Sequence, residues 1–169
     1  AEYAIRGTPA YDLLRKTTFL TLCEEALEEI ASACKGITAI VGSPMLTERG
    51  AVSAAVVLRD GEIVDVVEKQ HIKARREAGF IVSGEGYKEI DLCGKRVAVV
   101  VGDDLSHLQE LDSDIDLVVV AEDAIKKYFT LSTEDILNMF YTSEQLDPAS
   151  PMFILPGGEI LSVSQVLRD

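Results

Sequence analysis

The sequence predicts a layered α/β domain with helices packed on sheets, and three observations carry that prediction. An amphipathic helix pattern stands near the start of the chain. Apolar runs of strand length follow it. Three of the gaps between those runs hold residues that favour tight hairpin turns. The runs do not alternate with helices as a repeating βαβ array would, and no internal repeat or low-complexity segment is present.

Each element follows from local chemistry. Residues 1–11, with Gly7 and Pro9, read as a strand end and a loop. From Thr18 the apolar residues Phe19, Leu22, Cys23, Ala26, Leu27 and Ile30 recur at helical spacing, with Glu24, Glu25, Glu28 and Glu29 on the other face. Lys35 and Gly36 end that helix with a cation and then a glycine. Cys23 and Cys34 read as packing residues on it. A buried strand is expected over Ile37–Val41, then a loop from Gly42 to Gly50. Ala51–Leu58 and Glu62–Val67 are β-rich and flank Asp60-Gly61, a strong hairpin signal. Ile90–Cys93 and Arg96–Val101 form a second pair around Gly94-Lys95, and Asp116–Ala121 reads as another buried strand. Ser132 to Asp135 looks like a helix start, with the helix running to Tyr141. Phe153–Leu155 and Glu159–Val163 flank Pro156-Gly157-Gly158 as a last hairpin.

Composition narrows the function classes. The 29 acidic against 16 basic residues give a net charge of −13, which repels phosphate backbones and argues against nucleic acid as a partner. Lys73, Arg75 and Arg76 form the densest basic cluster, and it is local. No apolar run approaches the roughly 18–20 residues needed to span a bilayer. Glu2, Arg6 and Asp12 interrupt the N-terminus, which does not read as a secretory signal. Three cysteines without metal-type spacing fit a reduced, cytoplasmic protein.

Three strings resemble the nitrilase, or carbon–nitrogen hydrolase, superfamily, and within it the glutaminase domain of glutamine-dependent NAD synthetases. The first is Ala1-Glu2-Tyr3-Ala4-Ile5-Arg6-Gly7-Thr8-Pro9 with Tyr11-Asp12-Leu13-Leu14 behind it. It is similar to the family's Pro-Glu-Leu string followed by Gly-Tyr-Pro, with Ala1, Tyr3 and Thr8 as departures. The second is the hairpin from Ala54 to Glu68 that ends on Lys69, with Ile72 and Arg76-Glu77 downstream. A lysine at a strand end is ordinarily a solvated edge guard, but this hairpin context argues for the family's lysine. The third is the strand Lys95–Val101 followed by Gly102 and then Asp103-Asp104-Leu105.

The resemblance implies a four-layer α-β-β-α sandwich and an active site of glutamate, lysine and cysteine. The glutamate would act as general base, the lysine would steady the oxyanion, and the cysteine would form a thioester. It places Glu2 and Lys69 in the first two roles and Gly102 where the nucleophile should stand. Glycine has no side chain and cannot attack. Cys93, nine positions earlier, cannot substitute for it. Asp103, Asp104 and His71 fall on the substrate side of the pocket.

The resemblance covers residues 2–121 and 152–163. Glu122-Asp123-Ala124 replaces a serine-rich turn, and residues 125–150 do not match well. The expected domain is therefore a single nitrilase-like unit over 1–169, incomplete or degenerate. The N-terminal strand–helix unit and any C-terminal synthetase domain would lie outside the chain.

Other signals are weak. His71 and His107 are the only histidines, and neither has a second ligand at metal spacing, so no metal is expected. Ser43, Ser106 and Ser132 lack a Gly-x-Ser-x-Gly context. Gly84-Glu85-Gly86 is too short for a dinucleotide fingerprint. No Ser-Gly-Gly-x-Asp-Ser phosphate loop occurs, and no cofactor is expected in this domain. The leading expectation is an inactive glutaminase-type domain of a NAD synthetase-like protein that self-associates, with a synthetase domain and a glutamine-like small molecule as partners. The alternative is a non-catalytic scaffold, or a binding module in which Lys69 holds a carboxylate or amide.

Overall fold

A computed structural model describes residues 2–6, 11–73, 77–110, 115–121, 152–154 and 160–162. Residues 2–6 form turns tied down by the Ile5 amide, which donates to the Gly42 carbonyl at 3.3 Å. A short 3-10 turn, Tyr11–Arg15, leads into helix α1, Thr17–Ala33. The helix buries Leu20, Cys23, Leu27 and Ala31, which recur every three or four residues on one face. Leu22, expected on that face, is exposed, because it lies roughly 100° around the helix from Cys23. The helix ends at Cys34, whose amide bonds the Ala31 carbonyl, and Gly36 takes a positive φ of 70° to turn the chain away.

The first sheet is antiparallel, in the order β1 (Thr38–Thr47), β2 (Gly50–Arg59), β3 (Glu62–Glu68). Strand β1 begins where expected but does not stop at Val41. It runs through Gly42 and Pro44 to Thr47, so the expected loop shrinks to a turn at Glu48 and Arg49. Pro44 is tolerated because β1 pairs on only one side among the described strands, where Pro44 faces Ser53. Between β2 and β3, Asp60 and Gly61 both take positive φ, 50° and 98°, as the tight turn predicted from Asp-Gly requires.

The second sheet has the order β4 (Lys88–Leu92), β5 (Lys95–Val101), β6 (Leu117–Ala121), β7 (Met152–Ile154), β8 (Ile160–Ser162). The β4–β5 turn is centred on Cys93 and Gly94, one residue earlier than expected. Both residues have positive φ, 55° and 78°, and Leu92 pairs with Lys95 to close the turn. Strands β5, β6 and β7 are parallel neighbours, and β7–β8 is the expected final hairpin. The helix expected over 132–141 lies outside the described residues.

Strand β2 decides the layering. Val52, Ala54, Val56 and Leu58 pack with Leu27, Ala31 and Cys34 of α1. On the opposite face, Ala55 packs with Val67 of β3 and with Val97, Val99 and Val101 of β5. A strand buried on both faces reads as a continuous apolar run, as this one does. The order is helix, sheet, sheet: three successive layers of the expected sandwich. Among the described residues no helix is long and apolar enough to cross a membrane.

Candidate active site

The site gathers where the ends of β3 and β5 meet the N-terminal turn. The Lys69 amide donates to the Ser53 carbonyl at 2.8 Å, which extends the β2–β3 ladder by one residue. The Lys69 carbonyl accepts from Gly84 at 2.7 Å. The lysine is thus held at both backbone groups, and its side chain points inward with only 2% exposed. On the neighbouring sheet, β5 ends at Val101 and Gly102 turns the chain with φ +53° into a 3-10 segment, Gly102–Glu110.

Three carboxylates surround the Lys69 ammonium. Nζ lies 3.0 Å from Glu2 Oε1, 2.9 Å from Glu77 Oε2 and 3.3 Å from Asp103 Oδ2. Ser53 Oγ donates to Glu2 Oε1 at 2.9 Å, and the Tyr3 hydroxyl donates to Glu77 Oε1. Glu2, Tyr3, Lys69, Glu77 and Gly102 are all buried. Charges removed from water to this degree persist only when paired and hydrogen-bonded, and here each has a partner.

The electrostatics follow from that count. Burial pushes the Glu2 carboxyl above the usual carboxylate range; Lys69 pulls it back only in part, and Glu77 adds to the rise. Burial pulls the Lys69 ammonium down, but Glu2, Glu77 and Asp103 together outweigh it and the net shift is upward. Burial, Glu2 and Glu77 likewise raise the Tyr3 phenol, which stays a donor. Lysine is therefore held charged, and the easiest place to relieve excess negative charge is a proton on Glu2.

Gly102 stands at the centre of this group. A Cβ built on it would lie 2.7 Å from Glu2 Oε2 and 3.0 Å from Lys69 Nζ. The position expected to carry the nucleophile therefore faces the base and the cation, with Glu2 occupying the space a side chain would need. No thiol replaces it. Cys93 sits exposed at the far end of β5, roughly 20 Å away along the strand. Cys23 and Cys34 are buried on the α1 side of the first sheet. Among the described residues the arrangement holds a carboxylate and a cation side by side, with no thiol between them.

Of the residues singled out from sequence, Glu2, Lys69, Gly102 and Asp103 converge. Asp104 and His71 are placed differently. Asp104 accepts the backbone amides of Gln70 at 2.8 Å and His71 at 2.6 Å, and it bonds His71 Nδ1 at 2.8 Å. It fixes the loop that carries Lys69 rather than presenting a carboxylate to a pocket. His71 stacks on His107, with ring centroids 3.6 Å apart. Sequence reasoning noted Glu77 only as part of a matching string and gave Tyr3 and Ser53 no role. The signal for Glu77 was an acid eight residues beyond Lys69 in a matching string. Arg6 lies over the Tyr3 ring at 3.7 Å, and its guanidinium nitrogens are buried without a hydrogen-bond partner among the described residues.

Comparison with known proteins agrees with the geometry. A glutamine-dependent NAD+ synthetase from Acinetobacter baumannii, solved with adenosine diphosphate, superposes with a TM-score of 0.59 at 22% identity, over 70% of this chain and 24% of that one. A variant of the amidase from Nesterenkonia, described as a nitrilase-superfamily protein, superposes with a TM-score of 0.62 at 17% identity, over 78% and 53%. The fold is that of the nitrilase superfamily. The chain covers part of that nitrilase fold. Its sequence relatives are glutamine-dependent NAD+ synthetases. One from Xanthomonas campestris is 44% identical over 71 residues, 42% of this chain and 13% of the relative. One from Xylella fastidiosa is 36% identical over 96 residues, 56% and 17%. The chain thus spans less than a fifth of the length of these curated relatives. No family model matches it. In another structure of the Nesterenkonia amidase the active-site cysteine has added to acrylamide, so that nitrilase-fold protein does carry a reactive thiol.

Proposed function

We propose that this chain is a glutaminase-type nitrilase domain of a NAD synthetase-like protein that no longer hydrolyses amides. One observation carries the reading: the buried Gly102, with Glu2 Oε2 2.7 Å from where its Cβ would be. The base and the cation remain, but the space between them is filled by Glu2 itself. Thioester formation needs a sulfur there, and a water molecule cannot replace the covalent step. The domain would then act as a scaffold or assembly partner for a synthetase domain that uses free ammonia. Self-association and a reducing, cytoplasmic setting for its three free thiols belong to the same reading.

Of the alternatives, the carboxylate-binding module is the less favoured. It needs Lys69 available to a ligand, whereas Glu2, Glu77 and Asp103 already surround the ammonium. The test is hydrolysis of glutamine and of simple amides by the purified chain, beside Lys69→Ala. No release of ammonia above buffer is expected from either. Release by the parent chain that disappears in Lys69→Ala would overturn the proposal. For the binding module, a ligand-induced rise in melting temperature that is lost in Lys69→Ala would be the supporting result. Gly102→Cys in the longest native chain addresses origin: gain of glutaminase activity supports descent from an active enzyme, and no gain with the fold intact counts against it.

A further inference from the structure

The only two histidines of the chain, distant in sequence, lie face to face. The rings of His71 and His107 are 3.6 Å apart between centroids and within 8° of parallel. One belongs to the loop that carries Lys69, the other to the 3-10 segment that begins at Gly102 and carries Asp103. Both remain partly exposed and so are open to solvent protons. The stack therefore joins the two segments that build the buried charge cluster, and it does so through the side chain that titrates nearest neutrality.

The surroundings set how much charge the stack can hold. Asp104 is an acceptor, so the Nδ1 of His71 carries the hydrogen and Nε2 is left to take a proton. That first positive charge sits 2.8 Å from Asp104 and is compensated. A second, on His107, would lie one ring spacing away from it. Among the described residues no carboxylate pairs with His107. Among the described residues, Lys69 and Asp103 are committed elsewhere, and Lys73 and Glu85 are exposed. Lys69 is bound to Glu2, Glu77 and Asp103, and Asp103 also accepts the Lys73 amide at 3.2 Å. Behind the loop, Gly84 and Gly86 pack against residues 68–70 with Glu85 exposed between them, and Glu68 is paired with Arg49. The near ends of β5 and β6, Val101 and Ala121, bring no charge.

We propose that the His71–His107 stack is an acid-sensitive latch: it stays closed with one proton between the two rings and opens with two, loosening the Lys69 loop against the Gly102 segment, which Asp103 and Asp104 also hold. Protonation of paired histidines is a recurrent way to flip a packed contact. Opening takes up a proton, so its equilibrium constant rises about tenfold per pH unit once the second proton binds.

The experiment is native-state hydrogen exchange on the chain from pH 7.5 to 5, corrected for the intrinsic pH dependence of exchange. The reporters are the amides of Gln70 and His71, both held by Asp104. Opening of these amides should grow about tenfold per pH unit in the parent chain. It should stay flat in His107→Phe, which keeps a stacking ring without a charge and leaves Asp104 and His71 in place. A flat profile in the parent chain, or the same slope in His107→Phe, overturns the proposal. The imidazole ring-proton resonances of the parent chain give a second readout that needs no variant. Their mutual ring-current shift should vanish over the pH range in which the amides open, and its persistence to pH 5 overturns the proposal as well.

Discussion

Replacing Gly102 with alanine asks how tightly the site has closed around the missing side chain. Two costs can be worked from the geometry. Gly102 has φ +53°, and placing a Cβ in that left-handed region costs about 1–2 kcal/mol. The new methyl would also meet Glu2 Oε2 at 2.7 Å and Lys69 Nζ at 3.0 Å, so the Glu2 carboxylate must move. It is held by Ser53 and Lys69, and loosening one such charge-assisted bond costs about 1.5–3 kcal/mol. The sum is about 2.5–5 kcal/mol, readable as a shift in denaturation midpoint at unchanged m-value. In a Glu2→Ala background the obstacle is gone, and only the backbone cost of about 1–2 kcal/mol should remain. Lys69 keeps Glu77 and Asp103 in that background, so the comparison is between two paired sites. The coupling between the two substitutions should therefore be about 1.5–3 kcal/mol. A cost under about 1 kcal/mol in the parent chain, or one undiminished by Glu2→Ala, would refute the view that Glu2 fills the nucleophile's space.

Four further outcomes are expected. Lys69→Met removes the cation that three carboxylates share and should cost about 3–5 kcal/mol in chemical denaturation, with part recovered by adding Glu77→Gln; an unchanged midpoint would contradict the central place given to this lysine. Glu2 has a folded-state pKa raised above its ordinary 4.5, so the folded state binds the extra proton and stability falls as pH rises from 4.5 through the raised value. Melting curves of Glu2→Gln should lack that decline, and parallel pH profiles for the two proteins would count against it. Lys69 follows the same direction in an alkaline window: its raised value contributes stability that is complete below 10.5 and is lost at higher pH, which alkaline melts of the parent chain and Lys69→Met can compare. Arg6→Met exchanges a buried guanidinium without hydrogen bonds for an apolar chain, at the loss of its contact with Tyr3. The net should lie within about 1 kcal/mol of neutral or be stabilising, and a loss above about 2 kcal/mol would mean that the cation–π contact dominates.

What the sequence determined by itself was whatever depends on neighbours in the chain. The stripe of α1, the Asp60-Gly61 turn, the apolar runs of β2, β5 and β6 and the final hairpin are all short-range patterns, and each stands close to where it was expected. Glu2, Lys69 and Gly102 each lie inside a string that can be read locally, and the fold brings the three together. Tertiary structure decided what depends on groups brought from afar. Strand β1 runs through Gly42 and Pro44 because β2 offers ten partners in register, which outweighs two residues that locally favour a loop. Tyr3 meets Glu77 across 74 positions and Lys69 meets Glu2 across 67, and no periodicity or turn rule reports on such pairs. The roles of Asp104 and His71 turned on the same thing. Whether a carboxylate faces a pocket or a backbone depends on which loop the fold packs against it, and here the fold set the Lys69 loop against Asp104 and one histidine against the other.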